Sequence, residues 1–435
     1  MATRLVPLRL RPSWNERPLP LDAAFYLVCA GYALVIALTD KHYGFRVWGT
    51  FAVAGYGLAF VHTCWLLLTP RLRPGWWRSR WVGVAAVVVV AMLAPLVTLV
   101  GSRLGGGDWA RAPGAWSAQP EVWVIERSAT LLLDHGTPYV DVGALGRPPV
   151  VNDYTPYGPV MALFGLPRAL LGGTPVADAL TDARLVFILV AALCAWASLR
   201  LLGSPRVPVR GAQLALIGPF TALTWTVAGP DLAVVGLLVL SCALAATDRP
   251  VLAAVVLAAV ASAKLIVLPA AAVLAALVLT RLGARALAGF AAVFVAMCAA
   301  LNVPVLLADP AAFTEHVIRF PAGLGAVSSP AASPLPGHLI AGTGATGRAI
   351  AFALLFAAAL LILAWLIRRP PRTGADALLR IAVGLAAFTL LTPATRFGYL
   401  VYPFVLLGAM LCFPDRTAAP PGTAESGRRT SATSS

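Results

Sequence analysis

The residues that could do acid–base or ionic chemistry in this chain are few, and they crowd into one polar stretch. Between 102 and 156 the sequence runs Gln119-Pro-Glu-Val-Trp-Val-Ile-Glu-Arg, then Gly136-Thr-Pro-Tyr139, then Asn152-Asp-Tyr-Thr-Pro-Tyr-Gly-Pro159. A general base needs a carboxylate within hydrogen-bond reach of the hydroxyl it deprotonates. The stretch carries the carboxylates Glu121, Asp153 and Asp108. Two cations stand elsewhere: Lys264 interrupts an Ala/Val-rich run, and Arg396 precedes the last apolar run. Charges beside apolar runs are expensive and usually functional. Each residue has a plainer role to set against this one. Glu121 could simply favour the positive end of a helix dipole, Lys264 could snorkel to the interface, and Arg396 could anchor a helix end.

The rest of the sequence says what must position these groups. Of 435 residues, 59% are hydrophobic and 12% charged, against roughly 25% charged in a soluble domain. A span takes about 20 mostly apolar residues, and such runs recur near 22–39, 48–69, 81–101, 183–202, 212–228, 231–246, 285–307, 348–367, 376–393 and 397–413. The pattern predicts an all-α polytopic membrane protein with about 11–13 transmembrane helices. Two stretches are interrupted: 157–172 by Pro159 and Pro167, and 251–280 by Lys264 and Pro269. Broken helices at membrane depth are tolerated where they line a cavity.

The net charge of +15 is nearly all arginine, clustered in short loops where it sets orientation rather than binding nucleic acid. Arg4, Arg9, Arg11 and Arg17 place a segment 1–20 in the cytoplasm. Arg71, Arg73, Arg78 and Arg80, and later Arg368, Arg369 and Arg372, mark further cytoplasmic loops. Within a transmembrane domain 21–413, the loops 102–156 and 308–346 then fall outside. Arg200, Arg206 and Arg210 fit this scheme only if 157–172 is re-entrant rather than spanning. The tail 414–435 has little apolar to bury and reads as disordered. The six cysteines lie in or at the end of apolar runs without paired spacing, and no His/Cys/Asp metal-ligand pattern or nucleotide-binding glycine loop is present. Neither a metal nor a cofactor is expected.

In the first external loop, Val122, Ile125, Ala129 and Leu132 recur at helical spacing. They predict an amphipathic helix 121–133 on the membrane surface, started by Pro120 and ended at Gly136. Trp109, Trp116 and Trp123 fit interfacial anchors.

The order of these features resembles the GT-C class of membrane glycosyltransferases, most closely glycosyltransferase family 87, the polyprenyl-phosphate-mannose-dependent mannosyltransferases. Such enzymes carry an acidic residue in the first large external loop, an amphipathic helix, a Gly-x-x-Tyr turn and a Tyr-x-Pro element. Glu121, the helix 121–133, Gly136 to Tyr139 and Tyr154-Thr-Pro156 match in order, followed by Lys264 and by Arg396 with Tyr399 and Pro403. Two features depart from the pattern: Glu121 stands where the family usually has Asp, and three helices rather than one precede the loop.

The resemblance implies a sugar, mannose by default, passing from a polyprenyl-phosphate donor to a lipid or glycan acceptor of the cell envelope, at the outer face of the plasma membrane. Glu121, with Asp153 as substitute, would be the base, and Lys264 and Arg396 would hold the donor phosphate. Tyr139, Tyr154, Tyr157, His316, Arg319 and Tyr399 would contact substrate, with His338 as a further candidate. A transporter or flippase of envelope precursors is the rival reading, because broken helices and intramembrane charges also mark substrate pathways. Transporters of that kind are built from repeated halves, and no internal repeat is evident.

Overall fold

The computed structural model describes residues 18–70, 75–105, 116–328 and 330–414. The arginines at 4, 9, 11, 17, 71 and 73, Asp108, Trp109 and the tail beyond 414 lie outside the described residues. Within them the chain is an all-α polytopic membrane protein. Eight helices are long and apolar enough to cross a membrane. These are α1 (Pro18–Thr39), α2 (Tyr43–Leu68), α3 (Trp81–Gly105), α6 (Pro175–Leu201), α11 (Leu265–Leu282), α12 (Ala284–Ala308), α13 (Ala345–Arg368) and α14 (Gly374–Leu391). Four shorter apolar helices join them: α5 (Pro159–Leu171), α9 (Pro230–Ala246), α10 (Pro250–Ala261) and α15 (Phe397–Met410). Three more complete the chain path used below: α4 (Pro120–His135), α7 (Val209–Ala215) and α8 (Pro219–Val227).

Ionic clusters at the two ends of the bundle fix how the chain alternates. At one end Asp22 of α1, 2% exposed, accepts two hydrogen bonds from Arg80 at 2.6 and 3.0 Å. It also accepts Gln213 at 2.9 Å and faces Arg210 at 3.0 Å. At the other end Arg103 closes α3 and meets Asp182 of α6 at 2.5 Å and Glu126 of α4 at 2.7 Å. The chain therefore arrives at this second end on α3 and leaves it again on α6. The intervening stretch 157–172 does not cross: it is re-entrant, so Arg80 and Arg210 share one end.

The re-entrant segment is held by a break in the next element of the bundle. Helix α10 stops at Ala261, and the carbonyls of Ser262 and Ala263 in the break that follows need donors from outside the helix. The Gly158 and Val160 amides fill that role, donating to Ala263 O at 3.0 Å and Ser262 O at 3.3 Å. Each broken piece thus satisfies the other inside the protein, where water is scarce. Gly158 is required for the approach, because a Cβ there would sit 2.1 Å from Ser262 O.

The amphipathic helix is present as α4, with Pro120 in its first turn and Gly136 at φ 70° ending it, its amide donating to Leu132 O at 3.0 Å. Its apolar face does not lie on lipid. Val122, Ile125 and Ala129 are fully buried against protein, the first two in a core shared with Met161 and Phe164 of α5 and Phe187 of α6. Gly165 makes the closest approach, with Ile125 O 2.5 Å from the position of its missing Cβ.

Placing a methyl at Gly158 must push the two broken segments apart. Gly158→Ala should lower the thermal midpoint in detergent by an amount equivalent to about 1–3 kcal/mol. Gly57→Ala on α2, whose methyl would meet nothing within 4 Å, should leave it unchanged or slightly raised. Equal midpoints for the two variants, read by intrinsic fluorescence, would show that the close approach relaxes freely.

Candidate active site

Glu121 stands in the first turn of α4, and the residues ahead of it are pinned by backbone bonds. The Gln119 amide donates to Val227 O at 2.8 Å, and the Ser117 carbonyl accepts Arg184 at 2.9 Å. Arg184 is fully buried and also grips Asp182 through two side-chain hydrogen bonds at 2.9 and 2.7 Å. The start of α4 is therefore a fixed point, and its dipole favours a carboxylate there.

Arg396 reaches this carboxylate from the opposite end of the sequence and forms an ion pair with Glu121. Its position is set by an isolated bridge between Ala332 and Thr395, in which the Thr395 amide donates to Ala331 O at 3.0 Å and the Ser333 amide to Thr395 O at 2.9 Å.

Lys264 lies in the break between α10 and α11, with extended backbone at φ −149°. Its side chain turns inward, with 11% of it exposed, and pairs with Asp231 at the head of α9. Three aromatic rings surround the ammonium: Tyr399 at 5.0 Å, Tyr157 at 5.7 Å and Tyr402 at 5.7 Å. Tyr402 donates its hydroxyl to Asp231 at 2.5 Å. Such ring faces attract a desolvated cation by up to about 2 kcal/mol each.

Glu121, Arg396, Lys264, Asp231, Tyr157 and Tyr399 all line one cavity of about 1550 Å³. Its walls beyond them are largely apolar, from Val273 of α11, Ile362 of α13 and Phe388 of α14 among others. Asp231 escaped the sequence reading, although it showed the signal that marked Lys264: a charge where an apolar run begins.

The remaining candidates form a second cluster beside the cavity. Tyr154 lines it, but Tyr139, Asp153, His316 and Arg319 do not. Asp153 is committed to Arg147, whose guanidinium donates to both its oxygens at 2.7 Å, and it accepts the Val150 amide at 2.8 Å. The Arg147 hydrogen bonds hold its carboxyl below the ordinary range. Tyr139 donates to Tyr157 O at 3.0 Å, and Arg319 pairs with Glu315 at 2.8 Å. His338, a further candidate, bonds Pro393 O at 2.9 Å. Trp123 carries Arg127 over its ring at 4.8 Å, so protein rather than lipid covers that face.

His316 is fully buried and binds two loop segments at once. Its Nδ1 accepts the Thr155 amide at 2.9 Å, so Nε2 carries the proton and donates to Val140 O at 2.8 Å. Tyr139 stacks on its ring with centroids 5.2 Å apart. Burial pushes the imidazole pKa below its usual 6.5. The folded state then binds fewer protons than the unfolded one, so this stability is present above about pH 6.5 and fades as pH falls below it. The thermal midpoint should drop between about pH 7.5 and 5.5, and His316→Gln should flatten that slope. Parallel slopes for wild type and variant would assign the loss to other groups.

A family model described as Glycosyltransferase family 87 matches residues 154–393. No curated protein matches the chain, and no solved structure does. The matched segment contains Tyr154, Tyr157, Asp231 and Lys264, whereas Glu121 precedes it and Arg396 and Tyr399 follow it. With more than half its length matched in that order, and with an all-α membrane fold, the chain belongs to glycosyltransferase family 87.

Proposed function

We propose that this membrane glycosyltransferase transfers a sugar, mannose by the family resemblance, from a polyprenyl-phosphate donor to a lipid or glycan acceptor of the cell envelope. We place it in the plasma membrane with Glu121 on the extracytoplasmic face. The observation that carries the reading is the meeting of Glu121, Arg396 and Lys264, from three distant parts of the chain, in a cavity whose other walls suit an isoprenoid tail.

In this reading the acceptor hydroxyl gives its proton to the Glu121 carboxylate as its oxygen attacks the anomeric carbon. The bond from that carbon to the phosphate oxygen breaks, and polyprenyl phosphate leaves with the electron pair. Arg396 and Lys264 offset the charge that grows on the phosphate. Arg396 pairs with Glu121 and Lys264 with Asp231. A donor phosphate that takes over Arg396 would release the Glu121 carboxylate for its role as base.

Glu121→Gln keeps size and hydrogen bonding but cannot accept the proton, so turnover should fall by roughly 100-fold or more with donor binding retained. Full activity in that variant would remove Glu121 as base. Lys264→Met should raise the donor KM by about tenfold or more; an unchanged value would leave Lys264 with only its structural pairing.

Sidedness has its own check. A cysteine at the exposed Ala144, in a background lacking the six native cysteines, should react with an impermeant maleimide on intact cells. Labelling only after lysis would reverse the orientation.

A further inference from the structure

Asp231 offers more than its pairing with Lys264. It stands in the first turn of α9, where Gly229 at φ 93° turns the chain and the Leu232 amide donates to Gly229 O at 2.9 Å. A Cβ on Gly229 would lie 2.6 Å from the Phe187 ring, so the turn that places the carboxylate is tightly held. Both side chains that donate to Asp231 use one oxygen: the Lys264 ammonium and the Tyr402 hydroxyl each bond Oδ1. Oδ2 accepts no hydrogen bond among the described residues, yet it is not one of the polar atoms shut away without a partner. It therefore opens onto the cavity that Asp231 lines beside Lys264, Tyr157 and Tyr399.

We propose that Asp231 binds the 2-hydroxyl of the donor sugar through Oδ2, an inference that rests on the transfer reaction proposed above. An ionised carboxylate offers about four acceptor sites on its two oxygens. Leaving one oxygen bare inside a protein costs free energy that a ligand hydroxyl would recover. Pairing with Lys264 alone gives that oxygen no role.

Which hydroxyl it meets follows from the two partners. Oδ1 and Oδ2 belong to one carboxyl group, so a hydroxyl on Oδ2 lies close to the phosphate that Lys264 holds. In a glycosyl phosphate the phosphate is bonded to the anomeric carbon, whose ring neighbours are the ring oxygen and C2. The ring oxygen has no hydrogen to donate, and the 2-hydroxyl has one. A contact there also serves the reaction. As the bond to phosphate breaks, positive charge grows at the anomeric carbon and the 2-hydroxyl becomes a stronger donor, so a carboxylate on it stabilises the transition state more than the bound donor. The hydrogen stays on the sugar, and Glu121 remains the base. Lys264 and Tyr402 together fix the rotation of the carboxyl group, which keeps Oδ2 turned to the cavity.

The test uses the full-length protein in lipid nanodiscs, with octyl mannoside as acceptor and three donors: polyprenyl-phosphate mannose and its 2-deoxy and 4-deoxy analogues. Comparing two proteins on each donor cancels the intrinsic reactivity of the deoxy sugars. Asp231→Asn should lower kcat about tenfold or more on the mannose and 4-deoxy donors, and less than about threefold on the 2-deoxy donor, which has no such contact to lose. Any loosening of Lys264 should raise the donor KM alike for all three. An equal change in kcat on all donors, including none, would leave Asp231 with Lys264 alone and overturn the inference. So would a fall that spares the 4-deoxy donor instead.

Should Asp231→Asn fail to fold, Tyr402→Phe carries the same comparison with the carboxylate in place. With one donor to Oδ1 gone the carboxyl group turns more freely, so kcat should fall about fivefold on the mannose and 4-deoxy donors and stay within about twofold on the 2-deoxy donor. An equal change on all three would again overturn the inference. Absence of transfer from polyprenyl-phosphate mannose by the wild-type protein would instead overturn the proposed reaction, and this assignment with it.

Discussion

A carboxylate removed from water must stand against a cation or give up its charge, and this requirement organises the bundle. The buried carboxylates among the described residues are Asp22, Glu126, Asp153, Asp182 and Asp231. Each meets a cation: Arg80, Arg103, Arg147, Arg184 and Lys264 respectively. Where the two partners come from different elements, as in the Asp22, Glu126 and Asp231 pairs, the pair is also a tether. Asp22 draws the starts of α1, α3 and α7 to one end, and the Arg103 cluster draws α3, α4 and α6 together at the other. Removing one partner would leave an uncompensated buried charge, a loss of roughly 3–5 kcal/mol, so the tethers are hard to break singly.

The pairs facing the cavity differ from these in what surrounds them. Arg184 and Asp182 have fully buried side chains, so nothing can exchange with either. Arg396 and Glu121 are 31% and 22% exposed at their side chains, open to any ligand that enters. A pair so placed is accessible from the cavity, as the proposed exchange with a donor phosphate requires. The same physics thus yields rigid joints where the cluster is sealed and a responsive site where it opens.

Much of this was legible in the sequence, for reasons that can be named. The apolar runs, the start of α4 at Pro120 and its end at Gly136 follow from span length and helix-end chemistry, and the break at Lys264 follows from a charge and Pro269 in an apolar run. The re-entrant path of 157–172 was not legible, because loop arginines count sides and cannot tell a dip from a crossing; the Arg103–Asp182 contact decides it. The burial of the apolar face of α4 was missed for a related reason. An amphipathic stripe says that one face leaves water, and lipid and protein satisfy it equally well. The commitment of both Asp153 oxygens to Arg147 was not legible either, because Arg147 is a neighbour with no distinguishing spacing.

The break between α10 and α11 connects these threads. A continuous helix through 250–282 would carry position 264 on its surface, where a lysine would snorkel toward the headgroups. Interrupting the helix frees the backbone at 262–269, lets Lys264 adopt an extended conformation and turns its ammonium inward onto Asp231. The exposed carbonyls this creates are a real expense in an apolar medium, and the re-entrant segment meets it through the amides of Gly158 and Val160. The dip of 157–172 and the break at 262–269 are therefore one device seen from two sides. Neither would be stable without the other, and together they place a cation inside the bundle, beside a cavity, where an unbroken helix could not.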